Sequence, residues 1–557
     1  MRRYRWEIGL LLLLLGCTGA VFSRALQADF VQWDDDTLLY ENPHLTGLNP
    51  ATVKWAFTAF DYVVRYEPLT WLSWAAVYQV FGRDPFGYHL ANLVVHALNV
   101  CLVFLLLRRM LALAQAGDDR AETASWGRLF AGAGALLWAI HPLRVETVAW
   151  ASAFLHGQAI FFLLLSAWAY VEAGTSAPQT IRRACFYWAS VLAFLCSLFS
   201  YPIGLGFVVV LLALDVYPLR RFRAGRGGWW DARARALCLE KLPFVAVAGF
   251  CVGITLWARL HVTGGWLEAA PLSEFGLLHR AMQAIYIWAY YVWKTWWPFD
   301  LAPVYTTLLE FRPSDAPFVQ SLVFLGLASA LLVSQRRAWP AALPLWISYL
   351  ALMVPVLGLT EHPHYPNDRY SNLPGILTSI ALAAALFEGC RTARARALAL
   401  AGCLATACAL GAWSVRQVGL WRNSDTLLRH QLEQLGNDPY RFDLHWRLGR
   451  VLADQGRLDE AMSHYLASLS IVPEFAEAHY SLGVALERSG KTDDALREFE
   501  TTLRLKPAYA EAHVRLGFIL AARGLKGEAA AHLREAVRVD PKLTAARRKL
   551  AELEAAR

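Results

Sequence analysis

Three consecutive carboxylates, Asp34, Asp35 and Asp36, follow the first long apolar stretch of this 557-residue sequence. A carboxylate can act as a general base, bind a metal ion or stabilise a developing positive charge. Packing several carboxylates together raises the pKa of some of them, which helps a base to work at neutral pH. The triplet is therefore a candidate catalytic site. The alternative, that it only solvates the chain at the end of the apolar stretch, stays open.

Two further segments place ionisable side chains at the ends of apolar runs. In "AIHPLRVETVAW" and "NDRYSNLP" these side chains are His141, Arg144, Glu146, Asp368, Arg369 and Tyr370. An arginine in such a place can bind a phosphate group through several N–H donors. Arg144 can instead form a structural ion pair with Glu146, so both interpretations remain.

Signals for a metal centre are weak. Glu361, His362 and His364 in "EHPHYPND" are of ligand type, but a His-Pro-His loop has little geometric specificity. Most of the nine cysteines lie inside apolar stretches, as small buried hydrophobic residues do. The HExxH and GxSxG motifs and the glycine-rich phosphate loop are absent from the sequence. We therefore assign no metal ligands and no certain cofactor, while a divalent metal ion stays an open alternative.

Composition points to a membrane protein. Hydrophobic residues make up 56% of the chain and charged residues 18%, whereas soluble domains carry roughly 25% charged residues. The net charge is +8, but the basic residues stand in short clusters between apolar segments, as the positive-inside rule predicts. The sequence therefore predicts no nucleic-acid partner.

Eleven segments are apolar enough, and about long enough, to cross a bilayer as helices. They are 8–26, 86–107, 128–149, 153–172, 186–201, 203–219, 242–260, 318–335, 340–359, 373–388 and 396–415. The first is expected to be an uncleaved signal anchor. We therefore predict a mainly α-helical chain whose residues 1–420 form a polytopic membrane domain of about eleven spans.

Charge sets the predicted topology. If all basic clusters face the cytoplasm, the amino terminus lies on the cytoplasmic side of the inner membrane. Everything after residue 420 then lies on the extracytoplasmic side. The aromatic run 281–299 then lies at the outer interface instead of spanning. The predicted outer segments are 27–85, 142–152, 261–317 and 360–372. This topology gathers the carboxylates and arginines on one side of the membrane.

The first outer loop, 27–85, is too long for a simple connection and contains two helix-like runs, "PATVKWAFTAF" and "PLTWLSWAAVYQVFG". The next span carries four polar residues at steps of three and four, which places them on one helix face. They are His89, Asn92, His96 and Asn99. Such a face turns toward protein or a cavity and not toward lipid, so it indicates either interhelical hydrogen bonds or a polar cavity.

After residue 420 the sequence repeats every 34 residues. Prolines recur in register at 439, 473, 507 and 541, and glycines recur at 449, 483 and 517. This period and these residue types predict an α-solenoid of three tetratricopeptide (TPR) repeats within a domain 421–557. The predicted repeats lie near 442–475, 476–509 and 510–543, followed by a capping helix 544–557.

TPR arrays bind proteins, so we expect a protein or peptide partner. Trp446, Tyr480 and Phe518 are candidates for the concave binding face. The alternative is that these aromatic side chains pack between helices.

Several motifs, in order, resemble the transmembrane-and-TPR protein O-mannosyltransferase family of the GT-C class. They are the acidic pair after the first span, "RYEPLTWLSWAAVYQVFGRDPFGYHLANLVVHALN", "AIHPLRVETVAW", "DRYSNLP" and the TPR array. The resemblance implies a membrane glycosyltransferase that moves a mannose-like sugar from a polyprenyl-phosphate donor to a protein hydroxyl on the extracytoplasmic side.

The resemblance also implies roles for particular residues. Asp34 and Asp35 match the family's acidic pair, with Asp36 as an extra neighbour. Arg369, with Tyr370 beside it, and Arg144 are then candidates to bind the donor phosphate. The further outer-face or cavity candidates are His89, His141, Glu146 and Asp368.

One segment departs from the family. Where relatives often carry a charged run, this chain has "SAFLHGQ" at 152–158. If those charges bind the donor in relatives, catalysis is in doubt here. The competing hypothesis is a non-catalytic membrane anchor whose TPR domain recruits envelope proteins.

Overall fold

The computed structural model describes residues 2–60, 62, 66–115, 121–222, 231–261, 271–309, 311–359, 364 and 366–555, which contain helices and no strand. The chain divides into two compact units, Met1–Asn423 and Ser424–Arg557. The predicted mainly α-helical fold class is confirmed.

The first unit holds the apolar helices. In chain order its α-helices are α1 (Arg2–Phe22), α2 (Pro50–Thr58), α3 (Pro68–Phe81), α4 (Pro85–Ala114), α5 (Ala121–Ala139), α6 (Val145–Ala149), α7 (Phe154–Thr175), α8 (Ile181–Ser200), α9 (Phe207–Val216), α10 (Ala232–Leu239), α11 (Leu242–His261), α12 (Leu277–Trp296), α13 (Ala316–Ser334), α14 (Ala342–Met353), α15 (Asn372–Gly389) and α16 (Ala393–Val418).

Within the described ranges, eight helical stretches are long and apolar enough to cross a membrane. They are Trp6–Gln27, Pro85–Ala114, Ala151–Thr175, Ile181–Ser200, Ala232–Ala258, Ala316–Ser334, Asp368–Gly389 and Ala393–Trp421. Two shorter apolar helices, Phe207–Val216 and Ala342–Val356, fall on the predicted spans 203–219 and 340–359. The count therefore agrees roughly with the prediction of about eleven.

The predicted span 128–149 is not one continuous helix. Helix α5 ends at Ala139, and Pro142–Arg144 forms a 3₁₀ turn before α6. Proline has no N–H to continue the helical hydrogen bonds, and the Nδ1 atom of His141 accepts a 3.2 Å hydrogen bond from the Leu143 N–H. This break turns the chain, and it places Arg144 on the turn and Glu146 in the first turn of the short helix α6.

The first loop is an ordered layer with its own core. Its two predicted helical runs are α2 and α3, and the Asn49 side chain caps α2 by accepting a 3.0 Å bond from the Thr52 N–H. One apolar cluster joins this loop to the start of α7. Its buried members are Leu38, Leu39, Leu45, Ala56, Trp71, Trp74, Ala75, Tyr88, Ala151, Phe154 and Leu155.

This cluster gives a physical reason for the unusual segment 152–158. Phe154 and Leu155 are only 7% and 2% exposed and pack into the core of the first loop. Large apolar side chains at these two positions stabilise the contact between the loop and α7, because they remove apolar area from water. In this chain the segment anchors the loop.

The polar face of α4 makes interhelical hydrogen bonds. The Nδ2 atoms of Asn92 and Asn99 donate to the carbonyl oxygens of Trp150 (2.7 Å) and Gly157 (2.9 Å). His96 Nε2 lies 2.8 Å from the Ala139 carbonyl oxygen. Both alternatives left open by the sequence therefore hold, because these three residues form hydrogen bonds and also line a small cavity with Thr147 and Asn372.

The second unit is built from paired antiparallel helices. They are α17 (Ser424–Leu435), α18 (Arg441–Asp454), α19 (Leu458–Ile471), α20 (Ala476–Arg488), α21 (Thr492–Leu505), α22 (Ala510–Ala522), α23 (Lys526–Val539) and α24 (Thr544–Ala555). In each repeat a glycine of the first helix faces a large side chain of the second. A Cβ atom added at Gly483 would lie 2.6 Å from Phe499 Cε1, so only glycine fits there.

Substituting Gly483→Ala should destabilise the second repeat by about 1–3 kcal/mol, because the added methyl group overpacks the contact with Phe499. We expect limited proteolysis of the full-length protein to cut within α20–α21 about tenfold faster than in the wild type. Glu500→Ala, on the exposed side of α21, is the matched control and should leave the rate unchanged. Equal rates for the Gly483 variant and the wild type would contradict this packing.

Candidate functional site

Asp35 is the carboxylate that joins the first loop to the turn after α5. It is fully buried, and its two oxygens accept 2.9 Å hydrogen bonds from the N–H groups of Val31 and Ser152. Burial is the main cause that raises the pKa of Asp35 from its usual value near 3.8 to about 7, and the charge of Asp34 adds to it. Asp35 therefore holds two chain segments together with a carboxyl group that titrates near neutral pH.

The other two aspartates of the triplet are closer to the surface. Asp34 and Asp36 are half-buried. The Asp36 carboxylate accepts a 3.0 Å bond from the N–H group of Thr37, and the Asp34 carbonyl oxygen accepts a 2.9 Å bond from the Leu38 N–H. The three positions are thus not equivalent, and both oxygens of Asp35 are already occupied by backbone donors.

Glu146 and Arg369 form a buried ion pair between α6 and the turn before α15. The Arg369 guanidinium pairs with one Glu146 oxygen, and the Arg369 backbone N–H donates to the other at 2.8 Å. The guanidinium also lies over the rings of Trp150 (5.0 Å) and Tyr370 (5.2 Å). The sequence left open a structural pair between Glu146 and Arg144, but the structure pairs Glu146 with Arg369.

Arg144 is the second buried cation of this region, only 1% exposed. Its Nη2 atom donates to the Ser371 hydroxyl (2.7 Å) and carbonyl (3.1 Å) oxygens, and its guanidinium lies 5.8 Å from the ring centre of Trp138. Among the residues that the structure describes, its Nε and Nη1 atoms have no hydrogen-bond partner. Buried donors of this kind are costly, so they indicate an anion or a water molecule at this position.

Asp368 lies beside these arginines and is held by groups that sequence reasoning missed. The Tyr305 hydroxyl donates a 2.8 Å bond to its Oδ1 atom. Lys294 of α12 lies over the Tyr305 ring at 5.0 Å, and its ammonium donates to the carbonyl oxygens of Phe299 (2.6 Å) and Asp300 (3.2 Å). The available signal was that Lys294 is the only charged residue in the aromatic run 281–299.

The candidate histidines are structural in their contacts. Because His141 Nδ1 accepts from Leu143, its Nε2 carries the proton and donates to the Thr295 carbonyl at 3.0 Å. His89 is buried near the backbone of Ala28 and Asp29, and both of its ring nitrogens are without a hydrogen-bond partner among the described residues, so its role as a cavity residue stays a prediction. Neither imidazole is exposed at the surface.

The histidine-rich segment before Asp368 is only partly described. Glu361 and His362 lie outside the described residues, and His364 is buried with its Nε2 atom 3.1 Å from the Val356 carbonyl oxygen. In the part of the chain that the structure covers, no three His, Cys, Asp or Glu side chains lie close enough together to hold a metal ion.

In the TPR unit, Trp446 and Tyr480 pack between successive repeats. The Trp446 indole N–H donates a 2.9 Å bond to the Ser481 hydroxyl, and Tyr480 stacks on Tyr509 at 4.9 Å. These contacts support the alternative of packing between helices. Both side chains remain half-exposed, as does Phe518, so a role in partner binding stays a prediction.

The three polar segments predicted from the sequence therefore converge. Residues 146–152 contact Asp35 through Ser152 and Arg369 through Glu146 and Trp150. These contacts link the acidic loop, the turn after α5 and the start of α15, which carry Asp35, Glu146 and Arg369. Groups of these types can both accept a proton and stabilise an anion.

Substituting Asp35→Asn should lower the melting temperature of the detergent-solubilised protein. The amide puts an NH₂ group against one of two backbone donors, at a cost of about 1–3 kcal/mol. Folding raises the Asp35 pKa. The contribution of Asp35 to the free energy of unfolding is therefore complete below about pH 4 and is lost as pH rises through about 7. The difference in melting temperature between the wild type and Asp35→Asn should therefore shrink between pH 5.5 and pH 8. The half-buried Asp36→Asn is the matched control, and a pH-independent deficit would contradict this account.

The pair of Glu146 and Arg369 should behave as a coupled unit. Each single change, Glu146→Gln or Arg369→Gln, leaves one buried charge without its partner and should cost about 3–5 kcal/mol. The double variant should lose clearly less than the sum of the two, as thermal unfolding of all four proteins will measure. Additive losses would show that the two side chains do not interact.

Comparisons with known proteins match both parts of the chain. Family models described as "TPR repeat" and "Tetratricopeptide repeat" match residues 449–490 and 480–544. The human protein O-mannosyl-transferase TMTC1 is 24% identical over 506 residues, which cover 81% of this chain and 54% of that protein. Mouse TMTC2 is 23% identical over 53% of this chain and 36% of its own length.

A shorter match is closer in sequence. Tmtc1 of Drosophila melanogaster is 32% identical over 146 residues, which are 24% of this chain and 15% of that protein. The chain thus spans about half the length of human TMTC1, and smaller parts of the other two are matched. A crystal structure of MamA, 22% identical over 21% of this chain and 70% of that one, has a TM-score of 0.19, too low to support a structural comparison. Along most of its length the protein therefore resembles a TMTC-like, TPR-containing family, as its sequence motifs predicted.

Proposed function

We propose that this protein is a membrane glycosyltransferase that moves a mannose-like sugar from a polyprenyl-phosphate donor to a hydroxyl group of a protein. The transfer takes place on the extracytoplasmic face of the inner membrane, and the TPR domain binds the acceptor protein. The observation that carries the proposal is that the turn 146–152 contacts both Asp35 and Arg369, while Arg144 binds Ser371 beside that arginine.

Asp34 is the best candidate for the general base. Transfer with inversion needs a carboxylate that takes the proton of the acceptor hydroxyl as its oxygen attacks the anomeric carbon. Asp35 uses both oxygens for backbone donors and is fully buried. Asp34 is half-buried and next to it, so Asp35 fixes the loop and Asp34 presents the carboxylate.

Arg144 is the best candidate to stabilise the phosphate leaving group. The charge of Arg369 is already balanced by Glu146, so it organises the site more than it binds an anion. Arg144 keeps two buried donors without partners in the described structure. A phosphate that reaches the start of α15 can accept hydrogen bonds from them, and charge-assisted bonds of this kind are strong.

The sequence departure at 152–158 favours a second function, a non-catalytic TPR scaffold anchored in the membrane. Phe154 and Leu155 pack in the apolar core of the first loop. If charges at this place bind the donor in relatives, this chain has exchanged them for packing. On that hypothesis the carboxylate cluster is only a structural junction.

An assay of the purified protein with a panel of polyprenyl-phosphate sugars and acceptor peptides separates the two functions. We expect transfer by the wild type and a loss of about 100-fold or more in Asp34→Asn, the scale on which a general base contributes. Glu41→Gln, an exposed acidic residue of the same loop, is the matched control and should transfer normally. Full transfer by the Asp34 variant would overturn the assignment of the base. No transfer from any donor by a folded wild type would favour the scaffold.

A further inference from the structure

Three positions of every TPR repeat carry side chains of metal-ligand type. The first helix supplies a histidine, and the second supplies an acidic residue followed four residues later by His or Glu. The three sets are His445, Glu460 and His464; His479, Asp494 and Glu498; and His513, Glu528 and His532. A spacing of four places the two residues of the second helix on one face.

In each repeat the two outer members of the set face each other across the helix pair. The Nδ1 atoms of His513 and His532 are 2.9 Å apart, and those of His445 and His464 are also 2.9 Å apart. In the middle repeat a glutamate replaces the second histidine, and His479 pairs with Glu498. The first and third repeats therefore present two converging imidazoles.

The tautomer of His513 is fixed by the backbone. Its Nε2 atom lies 3.0 Å from the carbonyl oxygen of Pro507, and a carbonyl oxygen can only accept, so Nε2 carries the proton. The lone pair of neutral His513 is then on Nδ1, where it accepts a 2.9 Å hydrogen bond from the Nδ1–H group of His532. A carbonyl acceptor on the outer ring nitrogen is the usual way in which proteins orient a metal-binding histidine.

The third repeat also has the most available carboxylate. Glu528 is exposed and lies four residues before His532 on α23, and among the described residues it forms no ion pair with Lys or Arg. By contrast, Glu460 pairs with Arg457, and Asp494 pairs with Arg497. The third set therefore combines two facing histidines with a carboxylate that is not held in an ion pair with Lys or Arg among the described residues.

We propose that the third TPR repeat binds a borderline divalent transition-metal ion such as Zn²⁺ through His513, His532 and Glu528, with water as the fourth ligand. Imidazole and carboxylate ligands suit this class of ion. The site is separate from the membrane unit and does not depend on the proposed glycosyl transfer.

Two small movements and a proton shift complete the site. The proton of neutral His532 must move from Nδ1 to Nε2, so that both Nδ1 atoms can bind the metal ion. No three ligand-type side chains of the described structure stand close enough together for a metal, so the exposed Glu528 side chain has to rotate toward His532. The two Nδ1 atoms must separate from 2.9 Å to about 3.3 Å, the spacing that tetrahedral coordination at the usual Zn–N distance requires.

Zinc titration of the full-length protein in detergent, purified without a polyhistidine tag, tests the proposal. Calorimetry together with metal analysis after gel filtration should find a zinc ion bound at neutral pH, and a chelator should remove it. His532→Gln should weaken this binding by at least about tenfold, the scale on which even outer-shell changes act. His479→Gln, the matched control from the middle repeat, should leave it unchanged.

Glu528→Gln keeps the pair of histidines and the exposed surface, so it tests the carboxylate without disturbing the fold. We expect weaker zinc binding with unchanged helix content by circular dichroism. Zinc should also raise the melting temperature of the wild type, because it binds the folded state and links α22 to α23. Unchanged zinc stoichiometry and affinity in a folded His513→Gln/His532→Gln double variant would overturn the proposal, as would the absence of binding by the wild type.

Discussion

The buried carboxylate of Asp35 is the interaction on which the arrangement of the membrane unit depends. Its bonds to the N–H groups of Val31 and Ser152 fix the first loop to the turn between α5 and α7. The same turn also contacts Arg369 through Glu146 and Trp150. A buried carboxylate persists only if its oxygens are hydrogen-bonded, so the position of the whole acidic triplet follows from these two backbone donors.

Charge balance then separates the roles of the ionisable groups. A buried charge without a partner costs several kcal/mol of folding free energy, which is a large fraction of a domain's total stability. Glu146 and Arg369 cancel each other, and Tyr305 hydrogen-bonds Asp368 while Lys294 lies over the Tyr305 ring. Arg144 retains buried donors without partners in the described structure. The site thus combines a balanced scaffold with a cation that has hydrogen-bonding capacity left for an anion.

Much of this was predictable from the sequence, because its signals are periodic or compositional. The 34-residue period gave the TPR repeats, and apolar length gave the membrane helices. The pairing of charges was not predictable, because Glu146 contacts Arg369 from a segment more than two hundred residues away, and the sequence offered only Arg144 as a nearby partner. From the sequence, Phe154 and Leu155 indicated only that charged residues are missing at this place. The structure shows that both pack in the apolar core of the first loop.

We propose that the first loop, the turn after α5 and the start of α15 together bind a polyprenyl phosphate. Photo-crosslinking tests this most directly, with a polyprenyl-phosphate sugar that carries a photoreactive group next to the phosphate. Mass spectrometry of the labelled protein should place the label in residues 141–156 and 366–372, and unlabelled donor should compete with it. Labelling confined to other cations, such as Arg221 and Lys241 around the buried Asp215, would contradict the account.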